Sequence, residues 1–275
     1  YLNIVIYNDI IQLIKGGDIL EISAGNLLKV IKLAAQIILE NGGETYRAEE
    51  IIQYIGRSFD VEEIESIATP TGFHITISVD GEDNYTLVKR IHKRKIDLHK
   101  LNDVNNVSRQ LSEHSITLNE ALSKLQEIES RPDSAVKYRV LYAGLSSAFF
   151  TVLFGGHAIE FFTALFAGIM VFMVSRRLNN LHSHQFFSSI FSGLIIAYIA
   201  IFVTFFVKEG SYNNIIVGSL KPLLPGLAMI NSIRDTIRGD LISGMARGAE
   251  ALLVASSLAA GAGIVVYFAY YTGIL

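Results

Sequence analysis

Residues 218–240, GSLKPLLPGLAMINSIRDTIRGD, put Lys221, Pro222 and Pro225 inside one of the most apolar parts of a 275-residue chain. Each proline lacks an N–H, and its ring clashes with the carbonyl four residues back. Pro222 therefore frees the carbonyl of Gly218, and Pro225 that of Lys221. Pro225 also suits the first turn of a new half-helix, whose N-terminal end carries partial positive charge. Lys221 adds a full charge beside it. A helix broken this way at the middle of a bilayer can hold the anionic group of a transported solute, and an intramembrane lysine points to function. The competing reading is a kinked structural helix whose lysine reaches to the surface, since proline is common in membrane helices. Asp235, Asp240 and Glu250 follow the break. One of them, Asp235 first, can serve as a proton acceptor that senses occupancy; solvated loop acids account for them equally well. Arg247 and Glu250 are three apart and can pair.

A second polar group lies in NGGETYRAEE, where Glu44, Tyr46, Arg47, Glu49 and Glu50 crowd a helix start. Together with Thr71 and His74 of TPTGFHITIS, a carboxylate there can be drawn into a hydrolytic site. No nucleophile elbow, phosphate loop or HExxH motif supports that. Glu44 and Glu49 also suit the helix dipole without further function, and Arg47 can pair with Glu50. Glu160 reads as a solvated acid near a helix end. His157, and His182 and His184 in NNLHSHQ, read as interfacial, because His-x-His without carboxylate partners is a weak metal signal. The chain has no cysteine, hence no thiolate site and no disulfide framework, which fits a reducing cytosol. No metal and no cofactor is expected.

The elements that position these groups differ between the two halves. The chain is 51% hydrophobic and only 18% charged, with mean hydropathy +0.39. The charges are concentrated before residue 136, which marks a two-part protein. The net charge of −3, spread over both signs, carries no nucleic-acid footprint. Residues 186–207 and 251–271 each reach the roughly 20 apolar residues a span needs. Residues 138–154 and 159–174 are shorter runs joined by a tight Gly-Gly-His-Ala hairpin, and 213–233 holds the proline break. Five spans result. Arg131, Lys137, Arg139, Arg176, Arg177, Arg234, Arg238 and Arg247 all fall on one side of such a path, against Lys208 on the other. That asymmetry places residues 1–135 in the cytoplasm and the C-terminal end outside a multi-pass cell-membrane protein. Ala251, Ala255, Ala259 and Gly263 recur every four residues, a candidate close-packing face or a composition accident of an Ala-rich helix.

Residues 1–22, opening on Tyr1 as though inside a longer product, are too short and too interrupted to span; a packed or interfacial helix is expected. Residues 23–135 read as an α/β domain. Ser23 can cap a helix that Gly42-Gly43 ends, and a second helix runs from about residue 46 to 58. Phe73, Ile75, Ile77 and Val79 alternate with polar residues as in a half-buried strand. Turns at TPTG and DGED place partner strands near 63–68 and 85–90. Leu98, Leu101, Val104, Val107 and Leu111 mark another helix, and Thr117 with Glu120 a capping box for the next. The fold class expected is an α-helical polytopic membrane protein of five spans, 136–275, preceded by a cytoplasmic α/β domain with a small antiparallel sheet.

NGGETYRAEEII, TPTGFHITIS and PLLPGLAMINSIRDTIRGDLISGMARGAEALL together resemble the threonine/serine exporter family over roughly residues 25–272. The resemblance implies a cytoplasmic domain followed by five spans, with a second five-span half fused on or supplied by a separate subunit, as in pairs associated with succinate export. It implies export of small amino acids, driven by proton antiport. The matching motif positions are Gly43, Glu44, Tyr46, Arg47 and Glu49, then Pro225, Gly226, Asn231, Asp235, Gly239, Asp240, Gly244 and Arg247. Substrate binding is thus expected at Lys221, Pro225, Gly226 and Asn231, and proton coupling or gating at Asp235, Asp240, Arg247 and Glu250. Glu44, Tyr46, Arg47 and Glu49 form the cytoplasmic motif. Lys221 belongs to the charge argument alone, not to the family pattern. The expected partners are a small amino acid or small carboxylate, the bilayer, and a second five-span subunit or further copies of the chain. A small-dicarboxylate exporter, a membrane-anchored hydrolase and a receptor or scaffold are the alternatives. Five spans, one of them broken, exceed what a tether needs.

Overall fold

The computed structural model describes residues 10–15, 18–59, 61, 63–79, 83–180 and 185–275. The chain divides into two compact units. The first comprises Tyr1–Pro132 together with Ile230–Arg247, and the second Asp133–Met229 together with Gly248–Leu275.

The first unit opens with strands β1 (Ile10–Lys15) and β2 (Asp18–Ser23), paired antiparallel with Lys15 opposite Asp18. The expected helix over this segment is therefore wrong for residues 10–15 and 18–23; residues 1–9 lie outside those described. The sequence carries the reason. Two β-branched-rich runs separated by Gly-Gly read as a hairpin, while the same short apolar runs fit a helix equally well. Next come α1 (Ala24–Glu40) and α2 (Thr45–Ser58). Strands β3 (Glu63–Thr69), β4 (Gly72–Val79) and β5 (Asp83–Arg90) form an antiparallel sheet in the order β3-β4-β5. Helices α3 (Leu98–Ser112) and α4 (Leu118–Ser130) follow.

Phe73, Ile75 and Ile77 of β4 are fully buried, joining Ile31 and Ile38 of α1, Ile52 of α2, Leu111 of α3 and Leu125 of α4 in one core. His74 is exposed on the opposite face of the strand, as the alternation requires. Asp97 caps α3 through the Lys100 N–H, and Thr117 and Glu120 make the expected capping box of α4. Helix α1 ends at a Gly corner. Gly42 takes φ +90, open to glycine at little cost, and the Gly43 N–H returns to the Ile38 carbonyl at 2.9 Å. This is the 6→1 bond of a Schellman cap.

The second unit is helical: α5 (Val136–Leu153), α6 (Ala158–Asn180), α7 (Gln185–Val207) and α8 (Tyr212–Leu220). A 3-10 turn, Lys221–Leu223, ends α8, and α9 (Gly226–Ile237) and α10 (Leu241–Tyr271) complete the chain. Among the described residues three helices, α6, α7 and α10, are long and apolar enough to cross a membrane. The bent pair 212–223 and 226–237 makes a fourth if counted as one span. Helix α5, expected as a span, falls short: it has 18 residues, with Lys137 and Arg139 in its first turn.

Close packing in this unit relies on small residues. Any Cβ on Gly193 would strike the Leu258 carbonyl, and one on Gly261 the Ile190 carbonyl, so α7 and α10 meet backbone to backbone. Within the chain, the expected face of Ala251, Ala255, Ala259 and Gly263 packs inward only at its start. Ala251, Val254, Leu258, Gly261 and Ala262 are buried, whereas Ala259 and Gly263 are exposed. A strict four-residue repeat drifts around a helix of 3.6 residues per turn, by about 40° per step, and leaves the contact within three steps. Glu160 corrects another expectation. It is buried, not solvated, and its carboxylate accepts the N–H groups of His157 and Ser211, each at 3.0 Å, tying two loops together. The pair His182 and His184 lies outside the described residues.

Candidate functional site

Helix α9 starts and ends with different stop signals. Leu224 is extended (φ −64, ψ 139), and Pro225 stands just before α9, its carbonyl accepting the Met229 N–H at 3.0 Å. The break expected at Lys221–Pro225 is present. Lys221 O is not left open, since the Leu224 N–H reaches it at 3.3 Å. Lys221 and Gly226 are exposed and Pro225 half-buried. At its other end α9 stops in a second Schellman corner: Gly239 has φ +96, and the Asp240 N–H bonds the Asp235 carbonyl at 2.9 Å. Asp240 then opens α10, its carbonyl accepting the Gly244 N–H at 2.9 Å. Ser232 donates to the Gly244 carbonyl at 2.6 Å and locks the two helix ends.

The two Gly corners of the first unit, at 41–43 and 238–240, are joined by a ladder of polar contacts. Asn231 Nδ2 donates to the Gly42 carbonyl at 3.0 Å, and Arg247 Nη2 to the Gly43 carbonyl at 2.8 Å. Arg234 Nη1 donates to Glu44 Oε1 at 2.6 Å, while Arg47 Nε sits 3.1 Å from Glu44 Oε2. Thr45 Oγ1 donates to Asp240 Oδ2 at 3.3 Å. The Arg238 guanidinium lies over the Tyr46 ring at 4.6 Å and approaches Glu50 at 3.5 Å. Residues 42 to 46 are thus each held, one after another, by a residue from 231 to 247.

Beneath this clamp Asp235 and Arg247 form an ion pair, Nε to Oδ2 at 3.1 Å, with exposures of 0% and 7%. Thr45 faces Asp235 with both its hydroxyl and its N–H, and Asn231 Oδ1 has no hydrogen-bond partner among the described residues. A buried pair so placed is strongly destabilised by loss of either member. Glu49 accepts the Ala68 N–H at 2.6 Å. Burial raises its pKa, and Asp240 and Asp235 raise it further, against the lowering effect of that bond. Glu44 goes the other way. Burial works to raise it, but its own backbone N–H, Arg234 and Arg47 together lower it.

Of the residues singled out in the sequence, the fold brings together Glu44, Tyr46, Arg47, Glu49, Asn231, Asp235, Asp240 and Arg247. Lys221, Pro225, Gly226 and Glu250 belong to the second unit. One pairing differs from expectation and one was not foreseen. Arg47 bonds Glu44 rather than Glu50, which takes Arg238. Arg247 engages Asp235, twelve positions back across the corner. Thr45, Arg234 and Arg238 were not anticipated as members. Their signal was present, since Arg234 and Arg238 are four apart on the face that carries Asn231 and Asp235. Thr71, proposed for a hydrolytic site, instead faces Thr69 at 3.2 Å in the β3–β4 turn. Among the described residues no cluster of His, Cys, Asp and Glu suits a metal ion.

Comparison with known proteins adds the frame for this geometry. The chain is 25% identical over 231 residues to a protein of Klebsiella aerogenes described as "Probable succinate transporter subunit YjjP", covering 80% of this chain and 85% of that one. It is 24% identical over 230 residues to the protein of the same description from Escherichia coli K12, covering 82% and 87%. No solved structure matches the chain. The family model described as "Putative threonine/serine exporter" matches residues 29–269, which include both Gly corners and the whole clamp. The chain belongs to this threonine/serine exporter family, a family of transporters rather than enzymes.

Proposed function

We propose that the chain is one subunit of a secondary exporter of small amino acids such as threonine and serine, run as a proton antiporter. The observation that carries this reading is the clamp. Five successive residues of the first unit are held by the corner between α9 and α10, so any motion of the broken helix is passed through covalent continuity to a defined set of charges. In this reading Lys221 and the N-terminal end of α9, at Pro225 and Gly226, receive the substrate carboxylate. Asn231 reports its presence, and Asp235, Asp240, Arg247 and Glu250 open or close the cytoplasmic side as a proton is exchanged.

The membrane arrangement proposed is five spans, with α5 and the bent pair completing α6, α7 and α10. Residues 1–135 face the cytoplasm and the end of α10 faces outside. Positive residues support this, and so does the clamp: Arg234, Arg238 and Arg247 touch the very domain that the same rule assigns to their side. An odd number of spans suits a second five-span subunit of inverted topology, with a homo-oligomer as the fallback. The relatives' description as transporter subunits supports a partner, and their mention of succinate favours one second reading, export of a small dicarboxylate by the same pair.

Uptake into inverted vesicles, with and without a pH gradient, tests the proposal. Threonine or serine flux that needs both the gradient and a co-expressed partner supports it. Gradient-driven succinate flux without amino-acid flux selects the second reading. Flux of neither, from well-expressed protein, removes both.

A further inference from the structure

The first unit carries another polar feature beside the clamp: a cleft of ≈ 1040 Å³ between α2 and α3. Its walls follow from helix spacing. Residues 50, 53, 54 and 57 recur at three and four along α2, as do 105, 108, 109 and 112 along α3, so each set shares a face. The charge on these faces is one-sided. Arg47, Arg57, Arg109 and Arg238 line the cleft against a single acid, Glu50, in a chain whose net charge is −3.

Two of the four guanidiniums are occupied. Arg47 is held by Glu44 at 3.1 Å; Arg238 leans on the Tyr46 ring and reaches Glu50 at a loose 3.5 Å. The other two are not. Arg57 meets only the Gln53 amide oxygen, at 3.5 Å, and Arg109 forms no ion pair among the described residues. Guanidiniums gathered in a concave, water-filled surface raise the local positive potential and concentrate anions there. Their planar forks match carboxylate and phosphate oxygens two at a time.

We propose that this cleft binds a small solute bearing two or more carboxylate or phosphate charges, anchored by Arg57 and Arg109. Such a ligand competes with Glu44 and Glu50 for Arg47 and Arg238, so its binding loosens the clamp. The second clause rests on the clamp's role in transport proposed above; the binding itself does not.

Calorimetry on the full chain in nanodiscs of zwitterionic lipid separates the two. The probes are orthophosphate, pyrophosphate and succinate, with chloride at equal ionic strength as control. We expect saturable binding of at least one dianion, weakened by salt, and weaker by about tenfold or more in Arg57→Gln/Arg109→Gln. Both side chains are exposed, so that variant keeps the wild-type melting temperature and the wild-type flux without added anion. Tighter succinate assigns the site to carboxylates, tighter pyrophosphate to phosphates. Heats no larger than with chloride, or equal affinity in the double variant, overturn the site. Binding that leaves both flux and melting temperature unchanged in the wild type overturns its link to the clamp.

Discussion

Helix α9 is bounded by two interruptions of opposite kind. At its start, Leu224 and Pro225 break the chain by covalent constraint, and the charge there, Lys221, is exposed. At its end, Gly239 turns the chain through a positive φ, and Asp235 there is buried and paired across the corner with Arg247. Proline before a helix and glycine after it is the usual asymmetry. The difference shows that the conspicuous residue and the consequential contact need not coincide. A lysine among leucines is visible at once, yet the buried ion pair sits one turn from the other end of the same helix.

The largest expected effect separates the two ends by stability. Arg247→Ala leaves Asp235 buried without its cation and should cost about 3–5 kcal/mol. Lys221→Ala, at an exposed position, should fall within about 0.5 kcal/mol of wild type. Denaturant unfolding of the detergent-solubilised chain measures both, and equal losses would erase the distinction. Transport should rank them differently. Pro225→Leu mends the helix and Lys221→Ala removes the charge, so each should reduce flux by about tenfold or more at normal yield and membrane insertion. Undiminished export from either variant would leave the break as a structural kink.

A smaller effect is expected on the outer rungs of the clamp. Arg234 reaches Glu44 at 2.6 Å, but its side chain is 52% exposed, and Arg47 holds the other carboxylate oxygen. Solvent screening and this redundancy should hold the Arg234–Glu44 coupling in a double-mutant cycle to about 1 kcal/mol. A coupling as large as that of Asp235 with Arg247 would mean that the clamp is uniform from surface to core.

How much of this could be read from residues alone follows from the range of the forces involved. Local rules sufficed for the Gly42-Gly43 stop, the Thr117–Glu120 capping box, the alternation of β4 and the proline break, because each depends on neighbours within four positions. The family motif also identified most clamp residues: Glu44, Tyr46, Asn231, Asp235, Asp240 and Arg247. It did not say that they meet, since the contacts join residues about 190 positions apart. The β1–β2 hairpin was missed because its apolar run satisfies a helix as readily as a strand. The small-residue stripe serves the contact within the chain only at its start, its four-residue repeat being out of step with the helix.

The smallest predicted effect compares two acids at the start of α2 that differ in sign. The pKa of Glu49 is raised from its ordinary 4.5, first by burial and then by Asp240 and Asp235. The folded chain therefore holds that proton more tightly than the unfolded one. Its contribution to stability is fully present below pH 4.5 and is lost as pH rises through the raised value. Glu44 is lowered because its own N–H, Arg234 and Arg47 outweigh its burial, so its contribution is present above 4.5 and lost as pH falls below it. Glu49→Gln can still accept the Ala68 N–H and carries no charge. Its unfolding midpoint should exceed wild type at neutral pH, and the gain should vanish near pH 4.5. Glu44→Gln should be less stable than wild type at neutral pH, with that loss shrinking in acid. Unfolding midpoints of both variants at several pH values decide the matter. If both variants lose stability at neutral pH alike, then Glu49 is held as an anion like its neighbour.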